Sequence, residues 1–223
     1  MKDAKGRNFF GSFDSKMEWV GVDTYFNVFL RPFPQHPHLK MKTNDFLMSS
    51  KDFMLLLENL GFIYTFPRMY MQKCIKKISK KFQEDDYKYR YIEDILLEEK
   101  EEYNTELTEA LFWLRRHFQF FLEFFEFICN DETLDENISL FAKDSYMRNL
   151  ERYQNCCVKG WYKCMISLMP SRTKLLMKMA FNHKDCDEFV LYDMNKFTIN
   201  LRQCVYHLKH FYIINGLEWD FRV

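Results

Sequence analysis

Two arginines, Arg115 and Arg116, stand inside the most apolar stretch of this 223-residue chain, just after Trp113. A guanidinium drawn out of water must be met by a partner or a ligand, because an uncompensated buried charge is costly. Arg116 can find a carboxylate in the acidic segment upstream or a group on a bound molecule, and Trp113 can serve as core or as a stacking surface. The remaining chemistry-bearing groupings are weaker. His207 and His210 are spaced i, i+3 with no third ligand nearby, His183-x-x-Cys186 is no better, and adjacent Cys156 and Cys157 lack a second pair. There is no GxGxxG, P-loop, HExxH or GxSxG. A cysteine nucleophile would need a positioned histidine that sequence cannot show. No enzyme activity, metal or cofactor is expected.

Charge gives a second set of candidates. Lys73, Lys76, Lys77, Lys80 and Lys81 flank Met71, Ile75, Ile78 and Phe82, which recur at helical spacing. Such a run is either a solvated helix face or a surface that meets anionic lipid headgroups. Lys+Arg and Asp+Glu balance at 32 each, so nucleic acid is not an expected partner. Seven cysteines without a secretory signal read as reduced thiols of a cytoplasmic protein. No stretch reaches the roughly 18 to 20 apolar residues of a spanning helix, since Gln119, Glu123 and Glu126 interrupt the Phe-rich run.

The elements that must position these groups are helical. Six Gly and five Pro are too few for a turn-rich β-fold, and 24 Phe with 13 Tyr supply an aromatic core. Residues 1–40 read as a partly irregular N-terminal extension, with Arg31–His38 excluded from regular helix by its prolines. From Thr43 a helix follows, with Phe53, Leu56, Leu57 and Leu60 on one face, Ser49 or Ser50 as cap and Gly61 as stop. The connection Phe62–Pro67 is unusually apolar, so Ile63, Tyr64 and Phe66 form either a buried loop or a membrane-touching tip. An acidic helix around 89–103 precedes a central helix over 107–129 that is apolar on nearly every side. A long helical stretch over 141–168 is expected to bend at Gly160. Ser171 caps a short helix, and Asp185-x-x-Glu188 resembles a capping box for a last helix ending at Gly216.

Four segments in order resemble a known family. Tyr89–Tyr103 and Ala110–Arg116 resemble the middle of the glycolipid transfer proteins. Asp144–Tyr153 and Met169–Leu176 are similar to the later half, especially in the ceramide-1-phosphate branch, whereas the tail ending Asp-Phe-Arg-Val223 looks like the glycolipid branch. The resemblance covers residues 43–223. It implies an all-α, two-layer sandwich of about eight helices over a domain at 41–223, holding one sphingolipid. It also implies a headgroup site built from an Asp-x-x-x-Asn-x-x-Lys helix, a Trp-x-x-Arg helix and a His that follows a Tyr.

Carried onto this chain, the site reads Tyr70, Cys74 and Lys77 on one helix face, Trp113 and Arg116 on the next, Gln154 at the His and Phe221 at a C-terminal Tyr. Tyr70, Cys74 and Gln154 depart from the pattern. A carboxylate accepting the lipid amide N–H forms a charge-assisted bond that a phenol replaces only weakly. Trp113 suits a sugar, Arg116 and Lys77 suit a phosphate, and the balance leans slightly to sugar. The membrane-gripping aromatic falls on Cys156, with Trp161 one to two turns later. The resulting expectation is a monomeric cytoplasmic carrier with a sphingolipid ligand and a transient membrane surface as partners. The alternative is a divergent member that serves as a lipid sensor or protein-binding scaffold.

Overall fold

The computed structural model describes residues 22–34 and 40–218. Among them are a one-turn helix, α1 (Tyr25–Val28), and eight longer ones: α2 (Thr43–Leu60), α3 (Thr65–Glu84), α4 (Ile92–Glu101), α5 (Glu106–Asn130), α6 (Ser139–Asn149), α7 (Cys156–Ser167), α8 (Arg172–Met179) and α9 (Asp187–Ile214). The chain has the all-α sandwich architecture expected, with an isolated bridge between Lys42 and Tyr91 tying the start of α2 to α4.

The apolar pattern of α5 decides where it sits. Phe112, Leu114, Phe118, Phe120, Phe121, Phe124 and Phe125 point to different sides of the helix and all are fully buried. A helix whose polar stripe is only Gln119, Glu123 and Glu126 must bury most of its circumference, and α5 packs against α9, α3, α6 and α4. Its rings meet their neighbours edge to face, as aromatic quadrupoles favour: Phe118 lies 5.0 Å from Phe33 and 5.5 Å from Phe53. The first turn of α5 is held from outside. Glu99 of α4 accepts the Leu107 and Thr108 amides at 2.6 Å each and the Thr108 hydroxyl at 2.7 Å, which satisfies otherwise orphaned donors and places negative charge at the helix N-terminus.

Several local expectations differ from the structure. Ser49 and Ser50 do not cap α2; both are buried within it, their hydroxyls donating back to the Asp45 and Phe46 carbonyls. Gly61 does end that helix, at φ +120. The stretch 141–168 breaks at residues 150–155 and not at Gly160, which lies inside α7 with nothing near its missing Cβ. Asp185 does not open a capping box: it is left-handed at φ +58, and Cys186 stands between it and the first turn of α9. Ser171 precedes α8 without a side-chain cap bond. Gly216, at φ +64, closes α9.

The described part of the N-terminal segment is no loose appendage. Phe26, Leu30 and Phe33 are buried in the main core, and Thr24 donates to Asp193 of α9 at 2.9 Å. Met41 donates its amide to Glu93, which also holds His207 of α9 at 2.5 Å.

Candidate functional site

The third and fifth helices bring Tyr70 and Trp113 of the expected set together. Tyr70 lies on α3 with its ring edge toward Trp113, 5.9 Å between centroids, and stacks on His117 at 5.4 Å. Trp113 is only 1% exposed, with Phe112 and Tyr153 also against it. Its indole N–H finds no acceptor among the described residues. Cys74, one turn along α3, is buried, and burial pushes its thiol up to about 12, so it stays protonated and inert at neutral pH. Lys77, two turns along, reaches Glu106 at 3.1 Å; both are exposed, and such pairs contribute little. Gln154 accepts a hydrogen bond from the buried Tyr146 hydroxyl at 3.0 Å.

The arginines have a partner, though not the one expected. Arg115, fully buried, donates to both oxygens of Glu218 at 2.8 and 2.6 Å, and Arg116 donates to one of them at 2.8 Å. Arg116 also donates to the Tyr153 hydroxyl, as does Arg152. Their guanidinium groups lie on aromatic faces, Arg116 4.3 Å from the Tyr153 centroid and Arg115 5.1 Å from that of Tyr212. Two carboxylates of the acidic helix are engaged elsewhere, Glu99 at the start of α5 and Glu93 at Met41 and His207. Burial and the neighbouring Arg115 together lower the pKa of Arg116 from its usual range.

Sequence reasoning missed Glu218, His117 and Tyr153 as parts of this site. His117 is one turn beyond Trp113 on the same face and was legible by that spacing. Its ring is buried, Nδ1 donates to the Trp113 carbonyl at 2.7 Å, and burial lowers its pKa to about 4, so it is neutral. Glu218 carries no local signal, because its role arises only when the tail folds back. Phe221 lies outside the described residues.

The second expected cluster also assembles, with one correction. Phe66 stacks on Trp161 at 5.5 Å and 5° between planes, and Trp161 remains 59% exposed. Ile63 and Phe66 are half-buried, and Phe62, 78% exposed, projects furthest. Tyr64 does not face outward. The 3-10 turn Phe62–Tyr64 directs it into the core, where its hydroxyl meets the Met169 sulfur at 3.4 Å. All seven cysteines are free thiols. No helix of the described residues is long and apolar enough to cross a membrane.

An all-helical sandwich built round an aromatic core defines the class of fold, and solved structures share it. The GLTP fold of FAPP2, described as selecting simple glycosphingolipids, is 21% identical with a TM-score of 0.79, covering 90% of this chain and 100% of that one. The fungal glycolipid transfer protein HET-C2 is 20% identical with a TM-score of 0.77, covering 88% and 100%. Human ceramide-1-phosphate transfer protein in complex with 12:0 ceramide-1-phosphate is 16% identical with a TM-score of 0.72, covering 87% and 94%. The sequence model of the glycolipid transfer protein family matches residues 41–181, and the chain belongs to that family. Its members are lipid transfer proteins and not enzymes, in keeping with the absence of a catalytic motif from the sequence.

Proposed function

We propose that this protein carries one sphingolipid between membranes, working as a cytoplasmic monomer that docks transiently on lipid surfaces. The observation that carries the reading is the clustering of Tyr70, Trp113 and Arg116 at one place, where the proposed headgroup cleft would open, in a chain that belongs to a lipid transfer family. The headgroup takes the cleft, and the hydrocarbon enters between the Phe-rich face of α5 and α9. Burial of chain supplies affinity at about 0.8 kcal/mol per methylene, and the cleft supplies selection. The exposed Phe62 and Trp161 give the docking surface, with Ile63 and Phe66 behind them.

A second reading has its own support. The Tyr70 ring packs over Trp113 and His117, so the indole face on which a sugar would stack is covered. That is the geometry of a closed pocket and suits a sensor or protein-binding scaffold. Native mass spectrometry with lipid extraction on protein from cells, followed by vesicle-to-vesicle transfer, separates the two. The carrier reading expects a co-purified sphingolipid and measurable transfer. An empty protein that moves no offered sphingolipid would overturn it in favour of the scaffold.

A further inference from the structure

Among the described residues the arginine pair is short of negative charge. Arg115 and Arg116 share the single Glu218 carboxylate, and Arg152 approaches the same cluster through the Tyr153 oxygen. Nε and Nη1 of Arg115 and Nε of Arg116 are buried with no hydrogen-bond partner among the described residues. Buried donors left empty are rare, because each forfeits its bonds to water. The carboxylate that does reach them is 26% exposed and comes from the tail beyond α9, whereas both arginines are fixed on the central helix. An anion site is therefore set on the central helix on one side and filled from the chain's own tail on the other.

We propose that Glu218 is a built-in stand-in for an anionic headgroup: a phosphate group displaces it from Arg115 and Arg116, and the tail carboxylate moves out to water. This rests on the carrier reading and names its substrate class, a sphingolipid bearing a phosphate monoester. A phosphate monoester carries about 1.5 to 2 negative charges at pH 7 and three acceptor oxygens, against one charge and two oxygens for Glu218. It can thus serve donors that the carboxylate leaves unmet, and arginine forks suit its geometry. A neutral sugar has no charge with which to displace Glu218 and meets a covered Trp113. The slight lean to sugar drawn from Trp113 is accordingly reversed. Glu218 is a specificity-determining residue, since its carboxylate competes with the phosphate for the two arginines and so sets how strongly the site prefers that group.

The test uses the full chain and Glu218→Gln, with ceramide-1-phosphate, glucosylceramide and inorganic phosphate as probes. Glu218→Gln should melt at lower temperature without anion, be raised by inorganic phosphate more than the wild type is, and favour ceramide-1-phosphate over glucosylceramide about tenfold more strongly. In the wild type, hydrogen exchange at Leu217 and Glu218 should rise when ceramide-1-phosphate binds and stay put with glucosylceramide. This arm holds even if Glu218→Gln fails to fold. A variant with no gain toward either phosphate probe, or a wild-type tail that stays protected with ceramide-1-phosphate bound, overturns the proposal. If inorganic phosphate stabilises the variant but no sphingolipid binds either protein, the anion site stands and the carrier reading falls.

Discussion

His117 shows how a single side chain can couple this cleft to pH. Its neutral imidazole is buried under Tyr70 and donates to the Trp113 carbonyl, with its pKa lowered to about 4 by desolvation. In the unfolded chain it titrates near 6.5. Between these values the unfolded state binds a proton that the native state refuses, so stability is lost as pH falls from about 6.5 toward 4. The loss approaches about 3 kcal/mol at the lower end. Urea unfolding across that range should show this slope, and His117→Phe should flatten it; an unchanged slope in the variant would assign the effect to other groups. A second residue argues the same way without titration. Glu99 accepts three hydrogen bonds at the start of α5, and Glu99→Ala should cost about 2–4 kcal/mol by leaving buried donors unmet. Thermal melting measures it, and a shift of under a degree would mean that water takes over the cap.

At the scale of elements, α7 combines a stability question with a docking question. Gly160 sits mid-helix, where it disfavours helix relative to alanine, and a Cβ there would meet nothing. Gly160→Ala should therefore stabilise by about 0.5–1 kcal/mol, a rise of a few degrees in melting temperature. A fall would show that the bend expected from sequence is needed somewhere in the functional cycle. On the same helix Trp161 stacks on Phe66 beside the exposed Phe62. Replacing Trp161 and Phe62 with alanine should weaken vesicle sedimentation tenfold or more while leaving the melting temperature nearly unchanged. Most helices were legible because amphipathic periodicity is local: Phe53 to Leu60 marked α2, and the density of apolar side chains over 111–128 marked α5 as central. The break at 150–155 was not, because the burial of Tyr153 and Gln154 that accompanies it depends on residues of other turns and helices. Tyr64 failed for a similar reason, since an apolar turn does not reveal which of its side chains faces inward.

Across the whole molecule, the pairings that close the structure join segments far apart in the chain, and these were least visible beforehand. Arg116 could be seen to need a partner, yet Glu218 lies 102 residues away, and the acidic helix was the nearer and mistaken choice. The N-terminal boundary raises the same question. Residues 1–40 read as an extension because their pattern is irregular, but burial does not require regular structure. Phe33 is fully buried, with rings of Phe118, Phe197 and Phe46 at 5.0, 5.8 and 6.2 Å. It therefore bridges α2, α5 and α9, the walls between which hydrocarbon must enter if the chain carries lipid. Truncating it removes a large aromatic from a close-packed site, and Phe33→Ala should cost about 3–5 kcal/mol. In urea the midpoint should fall while the slope of the transition stays the same, because the surface exposed on unfolding hardly changes. A neutral Phe33→Ala would mean that residues 22–34 are dispensable and that the folding unit begins near residue 41. A large loss would mean that the segment completes the core, which then depends on residues lying before the family match.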